Sequence, residues 1–210
     1  MKRFFILASA AIVALASCAK TEVVYKDAPQ EIAFKQITNV MTKGALGDNA
    51  DVKLGVYSDY MAVGSAVTTP YFANVPFDGT TEWKGTPSQY YPLSGTLDFV
   101  GYAPYAETGA AAYSDNKLVL TLADNQTNQF DLLYSEKLTG IDKTLGATSQ
   151  PILLYHALAK VGYKFTLAAG VTVTKVTLAD THQEGVYTVD YAHFGEKAGR
   201  WNTTDKAKAS

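Results

Sequence analysis

Cysteine is almost absent, with one in 210 residues, Cys18. A single thiol closes no internal disulfide and cannot build a zinc site alone, so stability must come from the core. Histidine is nearly as scarce, and His156, His182 and His193 share no metal-ligand spacing. There is no phosphate-binding glycine loop, no G-x-S-x-G elbow and no G-x-G-x-x-G turn. Neither sign of charge dominates: 18 basic against 20 acidic residues give a net charge of −2, and no basic stripe is visible. Nucleic acid is therefore not an expected partner. These absences point away from an enzyme, and no metal or cofactor is expected. Nor does the apolar run from Phe4 to Ser17 reach the roughly 18 residues of a membrane-spanning helix.

What that run does match is a secretory signal. Lys2 and Arg3 form a charged start, "FFILASAAIVALAS" is the apolar middle, and small residues Ala16 and Ser17 precede Cys18. Leu15-Ala16-Ser17-Cys18 resembles the lipobox of bacterial lipoproteins. The resemblance implies cleavage between Ser17 and Cys18 and attachment of acyl chains to Cys18, each buried methylene adding about 0.8 kcal/mol of membrane affinity. An ordinary signal peptide with a chance cysteine is the plainer alternative. Residues 1–17 are thus read as a lipoprotein signal peptide and 18–30 as a polar tether.

Beyond the tether the chain reads as strands. Apolar residues make up 47% of it, and 16 glycines and 7 prolines are spread along it, as in a turn-rich β domain. Fourteen tyrosines against nine phenylalanines suit half-exposed sheet faces. "EIAFKQI" places Ile32 and Phe34 on one face, "VKLGVYS" alternates Val52, Leu54 and Val56, and a strand is expected around Leu97 to Tyr102. "KLVLTLA" and "QFDLLYSEK" follow. "PILLYHALAKVGYKFTLAAG" is read as one long strand bulged near His156, because Val161, Tyr163, Phe165 and Leu167 alternate with polar or small residues. "VTVTKVTLAD" and "GVYTVDYAHF" are further strands. The expected fold is an all-β sandwich or barrel over residues 31–195, followed by a polar tail over 196–210.

Two chemistries merit weighing. "LADNQTNQFD" gathers Asp124, Asn125, Asn128 and Asp131, but it lacks the glycine and closing glutamate of a calcium loop. A polar turn explains it better. Trp83, Trp201, Tyr90 and Tyr91 could form a sugar-stacking platform, although aromatics in sheets are more often core or cross-strand pairs. His156, in an apolar strand, reads as a hydrogen-bonded core histidine. His182 and His193 read as exposed.

Three stretches in order resemble the fimbrillin family, the subunits of type V pili: "WKGTPSQYYPLSGTLDFVGYAPY" from Trp83, "QFDLLYSEK" from Gln129 and "ILLYHALAKVGYKF" from Ile152. The resemblance spans about residues 30–190. It implies an antiparallel β-sandwich of Greek-key type like the family's amino-terminal domain, incomplete at its carboxy-terminal end. It implies a structural subunit or adhesin of fimbriae, lipid-anchored at the cell outer membrane or carried into the fimbrium, with other fimbrial subunits as partners and a host or glycan ligand as an open question. It also implies assembly by strand addition, in which an open sheet edge gives hydrogen bonds and alternate pockets give specificity. The removable strand would be "EIAFKQITNV", with Ile32 and Phe34 filling the core, and the processing site would lie at Lys43 and Gly44. Many family members carry arginine where this chain has Lys43, and many continue past "GVYTVDY" into a second domain. The alternatives are a surface glycan-binding lipoprotein using exposed aromatics, and a truncated fimbrillin fragment.

Overall fold

A computed structural model of the chain describes residues 28–36, 53–106, 110–122, 131–159, 162–177, 179–182, 184–194 and 199–203. Thirteen strands lie among them: β1 (Ala33–Gln36), β2 (Leu54–Met61), β3 (Thr68–Asp78), β4 (Trp83–Gly85), β5 (Thr96–Ala103), β6 (Ala111–Ser114), β7 (Lys117–Leu122), β8 (Leu133–Ser135), β9 (Leu138–Ile141), β10 (Gln150–Ile152), β11 (Leu154–His156), β12 (Gly185–Asp190) and β13 (Gly199–Asn202). The all-β expectation holds.

The strands form two sheets. The larger runs β10-β1-β4-β3-β2-β5-β8-β11, with β9 alongside β5, and the smaller runs β13-β12-β7-β6. Only Leu153 separates β10 from β11. One extended segment therefore pairs with β1 through its first half and with β8 through its second. The two ends of the larger sheet meet in that segment, so the sheet rolls round on itself. Every pairing between these strands is antiparallel except β1 with β10.

Side-chain alternation along β5 explains how two cores form. Leu97, Phe99 and Ala103 point into the roll, where they meet Leu54, Val56, Phe77, Leu133, Ile152 and Leu154. Val100 and Tyr102 point the other way, toward Leu118, Leu120, Tyr187 and Val189 of the smaller sheet. β5 is thus covered on both faces and reads as a nearly continuous apolar run, as a doubly buried strand should.

The second core is rich in tyrosine. Tyr57, Tyr102, Tyr134, Tyr187 and Tyr191 are all buried there, which corrects the expectation of half-exposed sheet positions. Their rings fill the space between the sheets, and their hydroxyls reach backbone or polar groups: Tyr57 donates to Ala111 O at 3.0 Å, Tyr191 to Ser135 O at 2.9 Å and Tyr102 to Asn74 Oδ1 at 2.7 Å. A buried tyrosine needs such a partner. Burial disfavours the phenolate and pushes Tyr57 up to about 12. Close approach also requires glycine. A Cβ at Gly55 would lie 2.1 Å from the Tyr102 ring, and one at Gly199 would lie 1.9 Å from the Tyr187 hydroxyl.

The structure departs from expectation in three further places. Strand covers 150–152 and 154–156, but residues 162–168 and 171–177 have no sheet neighbour among the described residues. Their alternation marks an extended chain that no described strand covers. Tyr163 and Phe165 are about half exposed and stack on each other with centroids 6.2 Å apart. Val171, Val173 and Val176 are exposed as well, so "VTVTKV" forms no strand. The tail, in contrast, begins with a paired strand. β13 joins β12 because Trp201 packs on Tyr187 at 5.1 Å and its indole donates to Ala157 O at 2.9 Å.

Gly55→Ala forces a methyl group into a buried ring and should cost about 1–3 kcal/mol. Val173→Ser, on the uncovered segment, should change stability by no more than about 0.5 kcal/mol. Urea denaturation of both variants checks the contrast.

Candidate functional site: the seam that holds the first strand

β1 closes the roll. It lies between β4, antiparallel, and β10, parallel, with Phe34 in register with Trp83 on one side and Gln150 on the other. Ile32 and Phe34 are completely buried. The Phe34 ring meets Phe77 at 5.1 Å and Phe99 at 5.2 Å, both edge-on, a favoured aromatic geometry. Each such side chain contributes about 1.5–3 kcal/mol by burial. That is a large share of the roughly 5–15 kcal/mol that stabilises a typical domain.

The hydrogen bonding that holds this strand is brief. β1 makes three register pairs with β10 and two with β4. Upstream, Ile32 N donates to Gln89 O at 2.8 Å and Tyr91 N donates to Gln30 O at 2.9 Å. Glu31 pairs with Lys84 at 3.1 Å on the surface. Hydrogen bonds from Ser88 and then Lys84 hold its carboxyl below the ordinary value, while Glu31 raises Lys84 in turn. An open cleft runs along this edge, lined by Gln30, Ala33, Gly146 and Ser149 among others. The strand is thus strongly anchored through two side chains and lightly tied through its backbone.

The other site residues read from the sequence are distributed as follows. Ile32 and Phe34 lie in the core of the roll. Ser17, Cys18, Lys43 and Gly44 lie outside the described residues, as do Asp124, Asn125 and Asn128. Asp131 pairs with His156, which sits at the end of β11, half-buried rather than in the core, with a buried Nε2 that has no partner among the described residues. His182 and His193 are exposed, and His193 bonds Asp190 at 3.1 Å. No cluster of metal-ligating side chains occurs among the described residues. Trp83 and Tyr91 are buried in the roll and Trp201 is half-buried, as core aromatics rather than as members of a sugar-stacking platform. Tyr71 and Tyr90 are the exposed members of that region. Sequence reasoning missed the role of Trp83 as the cross-strand partner of Phe34. It also missed the parallel pairing with β10, which has no local signal in a three-residue stretch.

A family model described as fimbrillin-like matches residues 38–210. The chain belongs to the fimbrillin-like family. No curated protein matches its sequence. Among solved structures, this fimbrillin-like chain is similar to one described as a candidate cell adhesion protein from Bacteroides uniformis, with 19% identity and a TM-score of 0.50. The match covers 86% of this chain and 70% of that one. At that identity the likeness is one of fold. The family match begins just past β1.

Phe34→Ala should cost about 3–5 kcal/mol, because it empties the centre of a ring cluster. A second expectation concerns pH. Glu31 has a lowered folded value, so its contribution is present above the ordinary carboxylate range and is lost as pH falls through that lowered value. The difference in urea midpoint between the wild type and Glu31→Gln should therefore be present at neutral pH and vanish in acid.

Proposed function

We propose that this fimbrillin-like chain is a cell-surface fimbrial or adhesion subunit, structural rather than catalytic, that assembles by exchanging its first strand. The observation that carries this reading is the asymmetry of β1. Phe34 within it and Ile32 just before it are completely buried, while its ladder is only a few residues long. Such an element is costly to leave out and easy to substitute. A strand of matching pattern from another subunit offers the same backbone hydrogen bonds and the same two anchors.

Export fits the same scheme. Cys18 carries acyl chains that hold the precursor at the outer membrane, and cleavage between Lys43 and Gly44 separates that anchor, together with β1, from the rest of the domain. Partners are then further fimbrial subunits, in a homo- or heteropolymer. Where Lys43 is left uncut, the lipid becomes a permanent anchor and β1 stays in place. Support for the reading comes from the family membership, from the fold and from the placement of Ile32 and Phe34.

Mass spectrometry and gel analysis of surface-purified protein test it. Polymeric material should begin at Gly44 and run as a ladder on a mildly heated gel, whereas Lys43→Ala should remain a lipidated monomer. Ladders built from chains that retain an intact Cys18-to-Gly44 segment would overturn the proposal.

A further inference from the structure

A polar network joins the two sheets on the far side of β5. Lys137 follows β8, and its Nζ lies 3.1 Å from Asp98 Oδ2 and 2.9 Å from Asn116 Oδ1. Asp98 belongs to β5, and Asn116 is the second residue of the tight turn between β6 and β7. Asp115 and Asn116 have φ of 49° and 62°, the left-handed pair that a two-residue hairpin requires. The side chains of Lys137 and Asp98 are only 16% and 14% exposed. Each member is pinned from behind. Asp98 Oδ1 accepts from Gly140 N at 2.9 Å, and the Asn116 carbonyl accepts from Tyr191 N at 2.9 Å. Tyr113 places its hydroxyl 3.4 Å from Asn116 Oδ1 and 3.1 Å from Asp59 Oδ2. Burial, and then the nearby Asp59 and Asp98, push that phenol well above its ordinary value, so it stays a donor.

We infer that Lys137 and Asn116 become joined by an intramolecular isopeptide bond. Asp98 accepts a proton from the Lys137 ammonium group, and the freed amine attacks the side-chain carbonyl carbon of Asn116. The Tyr113 hydroxyl, which donates to Asp59 in the resting structure, turns its proton to Oδ1 as that oxygen gains negative charge, the role of an oxyanion-hole donor. The bond from that carbon to the amide nitrogen then breaks, with Asp98 passing its proton to the departing nitrogen and taking the surplus proton from the attacking nitrogen, which the released ammonia carries off as ammonium. One carbon–nitrogen bond forms and one breaks. An ammonium group and a carboxamide give a secondary amide and an ammonium ion, with no oxidant or further reactant. Lys137 Nζ is held in hydrogen-bond contact with the Asn116 side-chain carbonyl oxygen, and holding two reacting groups together within one molecule lowers the entropic part of the barrier. The neutral carboxamide of Asn116 is the electrophile because an ionised carboxylate resists attack and Asp98 serves as the base.

The bond ties the β6–β7 hairpin of the smaller sheet to the segment between β8 and β9 of the larger. It supplies a covalent link in a chain with no disulfide, and like a disulfide it restricts the unfolded state. It is independent of strand exchange, since none of its residues lies in β10 or β4, the strands that pair with β1.

The test is intact mass measurement of the purified full chain beside its Lys137→Arg and Asp98→Asn variants, with circular dichroism to confirm folding. The wild type should be lighter than its sequence requires by one ammonia. Trypsin should fail to cut after Lys137, and the peptide bearing Lys137 should emerge joined to the one bearing Asn116. Both variants should have full mass, and Lys137→Arg keeps the positive charge so that folding is preserved. A folded wild type of full mass, with Lys137 open to trypsin, would overturn the inference. Loss of one water in place of ammonia would also overturn it, because a carboxylate would then be the electrophile.

Discussion

The larger sheet depends on one ring. Phe34 stands between Phe77 and Phe99, and the strand that carries it joins the two ends of a rolled sheet. Take that side chain away and two aromatic faces lose their partners at once. The interior is close-packed, so a void of that size is not absorbed by small shifts. The backbone of β1 adds little by comparison, since its ladder covers only three residue pairs on one side and two on the other. Side-chain burial therefore decides whether the strand is in place.

The two cores differ in chemistry, and the difference has a physical consequence. Phenylalanine and aliphatic side chains fill the roll, with Trp83 and Tyr91 at its margin. Tyrosines fill the space between the sheets, with Tyr57, Tyr102 and Tyr191 held in orientation by hydroxyl hydrogen bonds. An apolar pocket accepts another side chain of similar size at modest cost, whereas a hydrogen-bonded layer tolerates less variation. The roll is the part suited to exchange, and the tyrosine layer is the part suited to remain fixed.

Much of the fold was legible because period-two alternation reports burial directly. Leu54 and Val56, Leu118 and Leu120, and the run from Leu97 to Tyr102 all lie where the pattern put them. Ile32 and Phe34 were legible for the same reason. The pattern misled at Tyr163, Phe165 and Leu167, since alternation fixes an extended backbone but says nothing of whether a neighbour covers it. It also could not show the pairing of β1 with β10, whose partners are more than a hundred residues apart in sequence. The meeting of Lys137, Asp98 and Asn116 was equally hidden, since it depends on how the sheets stack rather than on any local spacing. Cysteine 18 and lysine 43 were read from residue order alone, and both lie outside the described residues.

The central claim is that β1 is a replaceable filler of the roll. The most direct measurement is binding of a synthetic peptide of residues 30–38 to protein trimmed through Lys43, followed by calorimetry and by a dye that reports exposed apolar surface. The account predicts that trimmed protein binds the dye, that the peptide displaces it with measurable affinity, and that a peptide carrying Phe34→Asp does neither. Trimmed protein that binds no dye, keeps the stability of the intact chain and ignores the peptide would contradict it.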